Sequence, residues 1–209
     1  MNDITAKENG NMNKITIVKQ LTDMAEGFGW NISADIIDKV LSFSSFKVYS
    51  KGEILIRIGD KATNSGIVLS GAVRSFYIDE DGNDISQFFA TRGNLCMDSG
   101  MFGFDESCAS WESLEETTIM VFNAKLMKQL IMSNESLKEC WIEALESSMR
   151  YKIYRENGLL VESATERYLE FRKRYPQLCE KIPQQYIATY LGIKPESLSR
   201  IKSSLKEKK

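Results

Sequence analysis

Residues 182–202, IPQQYIATYLGIKPESLSRIK, place small and apolar side chains at offsets that fit two short helices crossing steeply over a tight turn. With Gln184 as position one, Ala188 falls at five and Gly192 at nine. Ile187, Leu191, Ile193, Leu198 and Ile201 fall at four, eight, ten, fifteen and eighteen. The alanine lets the second helix approach the first. The glycine can take the positive φ of a helix C-cap. The five apolar residues point into the angle between the helices and into the body of the domain. Pro195 suits the first position of the second helix and Glu196 its positive end, although Lys194 is a poor N-cap. Glu196, Ser197, Ser199, Arg200 and Ser203 remain for the other faces. They are short or polar, as a helix in a DNA major groove requires. A helical hairpin inside a core explains neither that polar face nor the basic exit.

The charge distribution supports a polyanion partner. Residues 151–209 hold 13 Lys/Arg against 7 Asp/Glu, whereas residues 1–150 hold 14 against 22. A basic module is thus joined to an acidic one.

Upstream, residues 1–13 are polar and rich in Asn, and read as a flexible arm. From about 14 to 46, Ile17, Leu21, Met24 and Ala25, then Ile36, Ile37, Val40 and Leu41, recur at helical offsets, with Asn31 or Ser33 as the N-cap of the second helix. Between about 47 and 122 short β runs take over. Gly52 and Gly59 bracket one, SGIVLSGAVRSFYI reads as two strands joined at Ser70-Gly71, and Asp81-Gly82 marks a hairpin. ESLEETTIMVF ends in a last buried strand. This spacing predicts a small antiparallel barrel or jelly roll. Helix resumes from Asn123 to Met132, and a longer one runs from about Asn134 to Leu160. On the latter, Leu137, Trp141, Ala144, Ser148 and Tyr151 form an apolar band that Ile142, Leu145, Met149 and Ile153 widen. Such a width suits pairing with a twin helix in a dimer, or packing on the chain's own core. A helix from Ser163 should stop at Tyr175-Pro176. The class is α+β: a β-roll domain with flanking helices over 14–133, which the resemblance given below makes an effector domain, a dimerisation helix over 134–161, and a helix-turn-helix domain over 162–209.

Several classes of chemistry are excluded. The sequence has no His, and Cys96, Cys108, Cys140 and Cys179 form no C-x-x-C pair, so no metal, haem or iron–sulfur site is expected and no cofactor is assigned. The thiols read as partly buried small hydrophobes. No Gly-rich phosphate loop or nucleophile motif appears, so no catalytic residue is assigned and an enzyme is not expected. Without an apolar run long enough to span a bilayer or a secretion signal, the expected compartment is the cytoplasm, with no membrane partner.

The stretches KGEILIRIGD, GIVLSGAVR and ERYLEFRKRYPQL, with the closing segment, resemble the Crp–Fnr superfamily of bacterial transcription regulators over about residues 30–205. The resemblance implies a homodimer with an effector-sensing β-roll and a winged-helix-like DNA-binding domain on a palindromic promoter, with RNA polymerase a further partner. Its base-reading positions fall on Glu196 and Arg200. Pro195 stands where relatives often have an arginine. Ser197 and Ser199 would reach phosphate or base edges, and Lys194, Lys202 and Lys206 would contact phosphate. The sequence given stops at Lys209, so no wing is expected after the recognition helix.

The cyclic-nucleotide-binding pattern is departed from more sharply. Its Gly-Glu pair aligns with Asp98-Ser99, and its Arg-Ser or Arg-Thr pair with Cys108-Ala109. No arginine lies between Arg92 and Arg150 to meet a phosphate, and Asp105 and Glu106 would repel one. A different small molecule in the roll, lined by Met97, Ser99, Cys108, Ser110 and Trp111, is one alternative; a closed cavity in an unliganded protein is the other. A ligand-binding or interaction module that has lost specific DNA binding is the competing functional class. The expected outcome of calorimetry is no tight uptake of cyclic AMP, and sub-micromolar binding would contradict it.

Overall fold

The last strand of the β region divides the effector half of the chain into two apolar layers. In β8 (Thr117–Asn123), Ile119 and Val121 turn to one side while Met120 and Phe122 turn to the other. In the computed structural model, which describes residues 14–207, the first side is the interior of a β-roll and the second is covered by helices. The roll is made of β1 (Ser44–Tyr49), β2 (Ile54–Ile56), β3 (Asn64–Ser70), β4 (Ala72–Ile78), β5 (Asp84–Thr91), β6 (Leu95–Cys96), β7 (Ser110–Ser113) and β8. The strands form two antiparallel four-stranded sheets, ordered β1-β8-β3-β6 and β2-β7-β4-β5. Val68, Val73, Ala90, Cys96 and Ile119 fill the space between them without exposed surface.

One reading of the sequence needs correction. The helical pattern does not run to residue 46. It divides into α1 (Lys14–Gly27) and α2 (Ala34–Ser42), and β1 begins at Ser44, where Ser44 to Tyr49 pair with Phe122 to Thr117. Ladder pairing there overrides the local period. The two strands read on either side of Ser70-Gly71 are β3 and β4, and they lie in different sheets. Gly71 makes this corner with φ +83, and a Cβ there would lie 2.6 Å from the Glu116 carbonyl oxygen. The Asp81-Gly82 turn does join a paired hairpin, β4–β5. Short strands β6 and β7 carry too few residues to announce themselves. The expectation for residues 1–13 lies outside the described residues.

The helices follow their caps. Asn123 and Asn134 each accept a backbone N–H at the starts of α3 (Ala124–Met132) and α4 (Glu135–Val161). Ser163 and Glu166 form a capping box on α5 (Ala164–Arg174), which ends before Pro176. The closing segment forms α6 (Gln184–Tyr190) and α7 (Pro195–Glu207), and no strand follows α5 among the described residues.

The two faces of α4 have different fates. Leu137 is buried, and Trp141, Ala144 and Tyr151 are half-buried against the chain's own body. Ile142, Leu145, Met149, Ile153 and Leu160 stay exposed, up to 74% for Leu160.

The C-terminal helices are seated on the roll rather than tethered beside it. Phe89 of β5, with no exposed surface, enters an aromatic cluster with ring centroids 5.7 Å from Phe171, 5.6 Å from Tyr175 and 5.2 Å from Tyr190. Phe89→Ala should therefore cost about 3–5 kcal/mol in urea unfolding and speed amide exchange in α6 while sparing β8.

Candidate nucleic-acid interface

The turn between α6 and α7 is closed by the backbone. Gly192 takes φ +67, its N–H donates to the Thr189 carbonyl at 3.1 Å, and the Ile193 N–H donates to the Ala188 carbonyl at 3.0 Å. These are the two bonds of a Schellman cap. Ala188, Ile187 and Leu198 have no exposed surface, and Ile193 and Ile201 pack beside them. The Lys194 carbonyl accepts from Ser197 and Leu198, so Lys194 occupies the cap position before Pro195. A lysine there contributes no side-chain cap, and proline at N1 loses nothing because that N–H has no partner in the helix.

Packing of Leu198, Ile201 and Leu205 fixes the rotation of α7. The opposite face then carries Glu196, Ser199, Arg200, Ser203 and Lys206, all exposed. Glu196 and Arg200 stand one turn apart on it, and among the described residues neither enters an ion pair. Ser197 and Lys194 are exposed at its start. Lys202 departs from this set. It is half-buried at the edge of the packed side, because 202 follows 198 by one turn.

Four contacts that the sequence did not suggest position this pair. Arg74 of β4 is buried, its guanidinium 3.5 Å from the ring centroid of Tyr186 on α6. It donates to Asp84, to Glu112 at 2.7 Å and to the Ser86 hydroxyl at 3.0 Å. Burial works against its charge, but the hydrogen bonds to Asp84 and Glu112 win, so its pKa is raised. The Ser86 N–H donates to Thr189 Oγ1 at 3.1 Å. At the C-terminal end of α6, Arg155 of α4 donates to the Tyr190 carbonyl at 2.9 Å, and Arg167 of α5 to the Leu191 carbonyl at 3.0 Å. Cations there meet the negative end of the helix dipole. A lone arginine inside the apolar run AVRSFYI was the one available signal for Arg74.

The five residues assigned to an effector are brought near one another but are used locally. Met97 is buried in the left-handed region, φ 51. The Ser99 hydroxyl accepts the Cys108 N–H at 3.0 Å, and that of Ser110 accepts the Ile58 N–H at 3.0 Å. Trp111 is buried in the roll core against Phe88, with its indole N–H unpartnered. Cys108 is exposed, unlike the buried Cys96. None of the five lines the cavity between the helices and the β1-β8-β3-β6 sheet or the cleft between α4, α5 and α6. No group of acidic residues and cysteines that could hold a metal occurs among the described residues, and no helix is long and apolar enough to cross a membrane.

Residues 46–134 match the cyclic nucleotide-binding domain family. No curated protein sequence matches the chain. Solved structures do. FixK2 of Bradyrhizobium japonicum superposes with a TM-score of 0.68 at 20% identity, covering 79% of this chain and 85% of that one. The c-di-GMP responsive global regulator CLP of Xanthomonas campestris gives 0.67 at 17% identity, covering 84% and 93%. A Eubacterium rectale protein described as a candidate transcriptional regulator of the Crp/Fnr family gives 0.64 at 18%, covering 85% of each chain. At these identities the likeness is one of fold. The match thus places a cyclic nucleotide-binding-like fold over residues 46–134, and the chain as a whole shares the fold of these solved structures.

Proposed function

We propose that the chain is a homodimeric transcription regulator that reads palindromic promoter DNA through Glu196 and Arg200. The observation that carries this reading is the exposure of both side chains, one turn apart and in no ion pair among the described residues, on the free face of a helix whose rotation is fixed by burial of Leu198. A carboxylate there can accept from cytosine N4, and a guanidinium can fork onto guanine O6 and N7. Ser197 and Ser199 reach backbone or base edges, Lys194 and Lys206 contact phosphate, and Lys202 does so from the edge of the helix. Pro195 has no hydrogen-bonding side chain, so the base pair nearest it is read weakly.

The exposed stripe on α4 supplies the dimer contact. Ile142, Leu145, Met149 and Ile153 follow 3–4 spacing, as a helix pairing with its twin requires. A twofold pair sets the two α7 helices about one DNA turn apart. Small-molecule control enters through the β-roll and α4, which touch α6 through Tyr151 and Arg155. RNA polymerase is the further partner and the cytoplasm the place of action. The work is regulatory, with no catalytic step.

Fluorescence anisotropy on the DNA upstream of the protein's own coding sequence tests this. Affinity should fall steeply with salt. Arg200→Ala should cost about 1–3 kcal/mol and relax preference at one base pair, while Lys194→Ala weakens all sequences alike and lowers the salt slope by about 1. Salt-insensitive or absent binding would favour a module that has lost DNA recognition.

A further inference from the structure

We propose that the space between the helical layer and the outer face of the β1-β8-β3-β6 sheet is a binding site for a small, uncharged, largely apolar molecule with an aromatic or acyl body. A cavity of about 390 Å³ lies there. Met24 of α1, Ile36 of α2, Met120 of β8, Ile131 of α3 and Trp141 of α4 stand on its walls. It is distinct from the roll interior. Met120 and Phe122 face the cavity, whereas Ile119 and Val121, their neighbours along the strand, face Met97 and Trp111.

The opening is not a consequence of generally loose packing, since the roll interior a few ångströms away leaves its central side chains no exposed surface. Protein cores hold few voids larger than a water molecule, and an apolar void takes up apolar guests rather than water. The volume is in the range of small-molecule pockets. It is too small for a packed helix, whose diameter with side chains is about 10 Å. The walls are mostly apolar, and Asp98, whose carboxyl burial pushes above its usual range, is the one ionisable group among them away from α4, which favours an uncharged, largely apolar guest. Polar groups gather at the α4 edge, where Glu143, Ser147, Ser148 and Arg150 would meet one polar end of the guest.

The mouth carries a built cover. Phe28 and Trp30, on the loop between α1 and α2, stack with centroids 5.1 Å apart and both line the cavity. Phe28 rests on Gly93, where a Cβ would stand 2.8 Å from its ring, so the seat exists because residue 93 has no side chain. Trp30 Nε1 donates to Glu143 on α4 at 2.8 Å, which ties the cover to that helix.

The test reads binding alone and is independent of any DNA result. N-phenyl-1-naphthylamine, an uncharged fluorophore, is titrated into the full chain. Saturable uptake of one probe per chain is expected, with quenching of tryptophan emission because Trp30 and Trp141 line the site. Ala144→Phe, which places a ring in the cavity from α4, should raise the dissociation constant about tenfold or more, and Ile78→Ala, on an exposed strand end, should leave it unchanged. If circular dichroism shows Ala144→Phe to be unfolded, Ser148→Phe replaces it. Absent saturable binding, or equal affinity in the filled and unfilled proteins, would overturn the proposal. So would binding that appears only when residues 1–13 are deleted, which would assign the space to that segment.

Discussion

One buried cation sets where the C-terminal helices can stand. Arg74 is almost without exposed surface, and a charge so placed is tolerated only while it is paired. Asp84 and Glu112 pair it from the roll, and the ring of Tyr186 closes over it from α6. Removing α6 would return one side of the guanidinium to water and expose Phe89 together with the aromatic rings around it. The charge network gives the docking its register, and the aromatic cluster around Phe89 adds apolar burial. The position of α7 follows from that of α6 through the Gly192 turn and the buried Leu198.

The same junction joins the parts that a regulator must couple. Tyr151 of α4 touches Phe88 of β5 at a centroid distance of 5.5 Å and shares a 2.8 Å hydrogen bond with the Tyr190 hydroxyl of α6. Burial holds the Tyr151 hydroxyl protonated far above the usual tyrosine range. Arg155, one turn further along α4, reaches the Tyr190 carbonyl. A displacement of α4 against the roll therefore has a direct mechanical route to α6. The route is made of packed rings and hydrogen bonds with named partners.

The closing segment was legible in the sequence because its geometry is local: alanine, glycine and five apolar residues at set offsets specify a Schellman-capped turn without help from elsewhere. The helix starts at Asn123, Asn134 and Ser163 were legible for the same reason. What failed depended on distant partners. The helical period continued into Ser44–Phe46, where pairing with β8 imposes a strand. The junction at Ser70-Gly71 was read correctly, although that it sends the chain from one sheet to the other is visible only in the tertiary structure. The α4 band was read as one wide stripe with two competing explanations, and the structure divides it between the chain's own body and solvent. Arg155 and Arg167 had no sequence signal for their roles, and Arg74 had only its place in an apolar run, since each acts on a group between 24 and 112 positions away.

The central claim is that a fixed, exposed α7 reads base edges, twice, in a symmetric pair. Selection of genomic fragments bound by the full-length protein, followed by sequencing, tests it most directly. The account predicts enrichment of inverted repeats whose half-sites are about 10 base pairs apart centre to centre, with G·C pairs at the positions facing Arg200 and Glu196. Enrichment of no motif, or of a single asymmetric half-site, would contradict it.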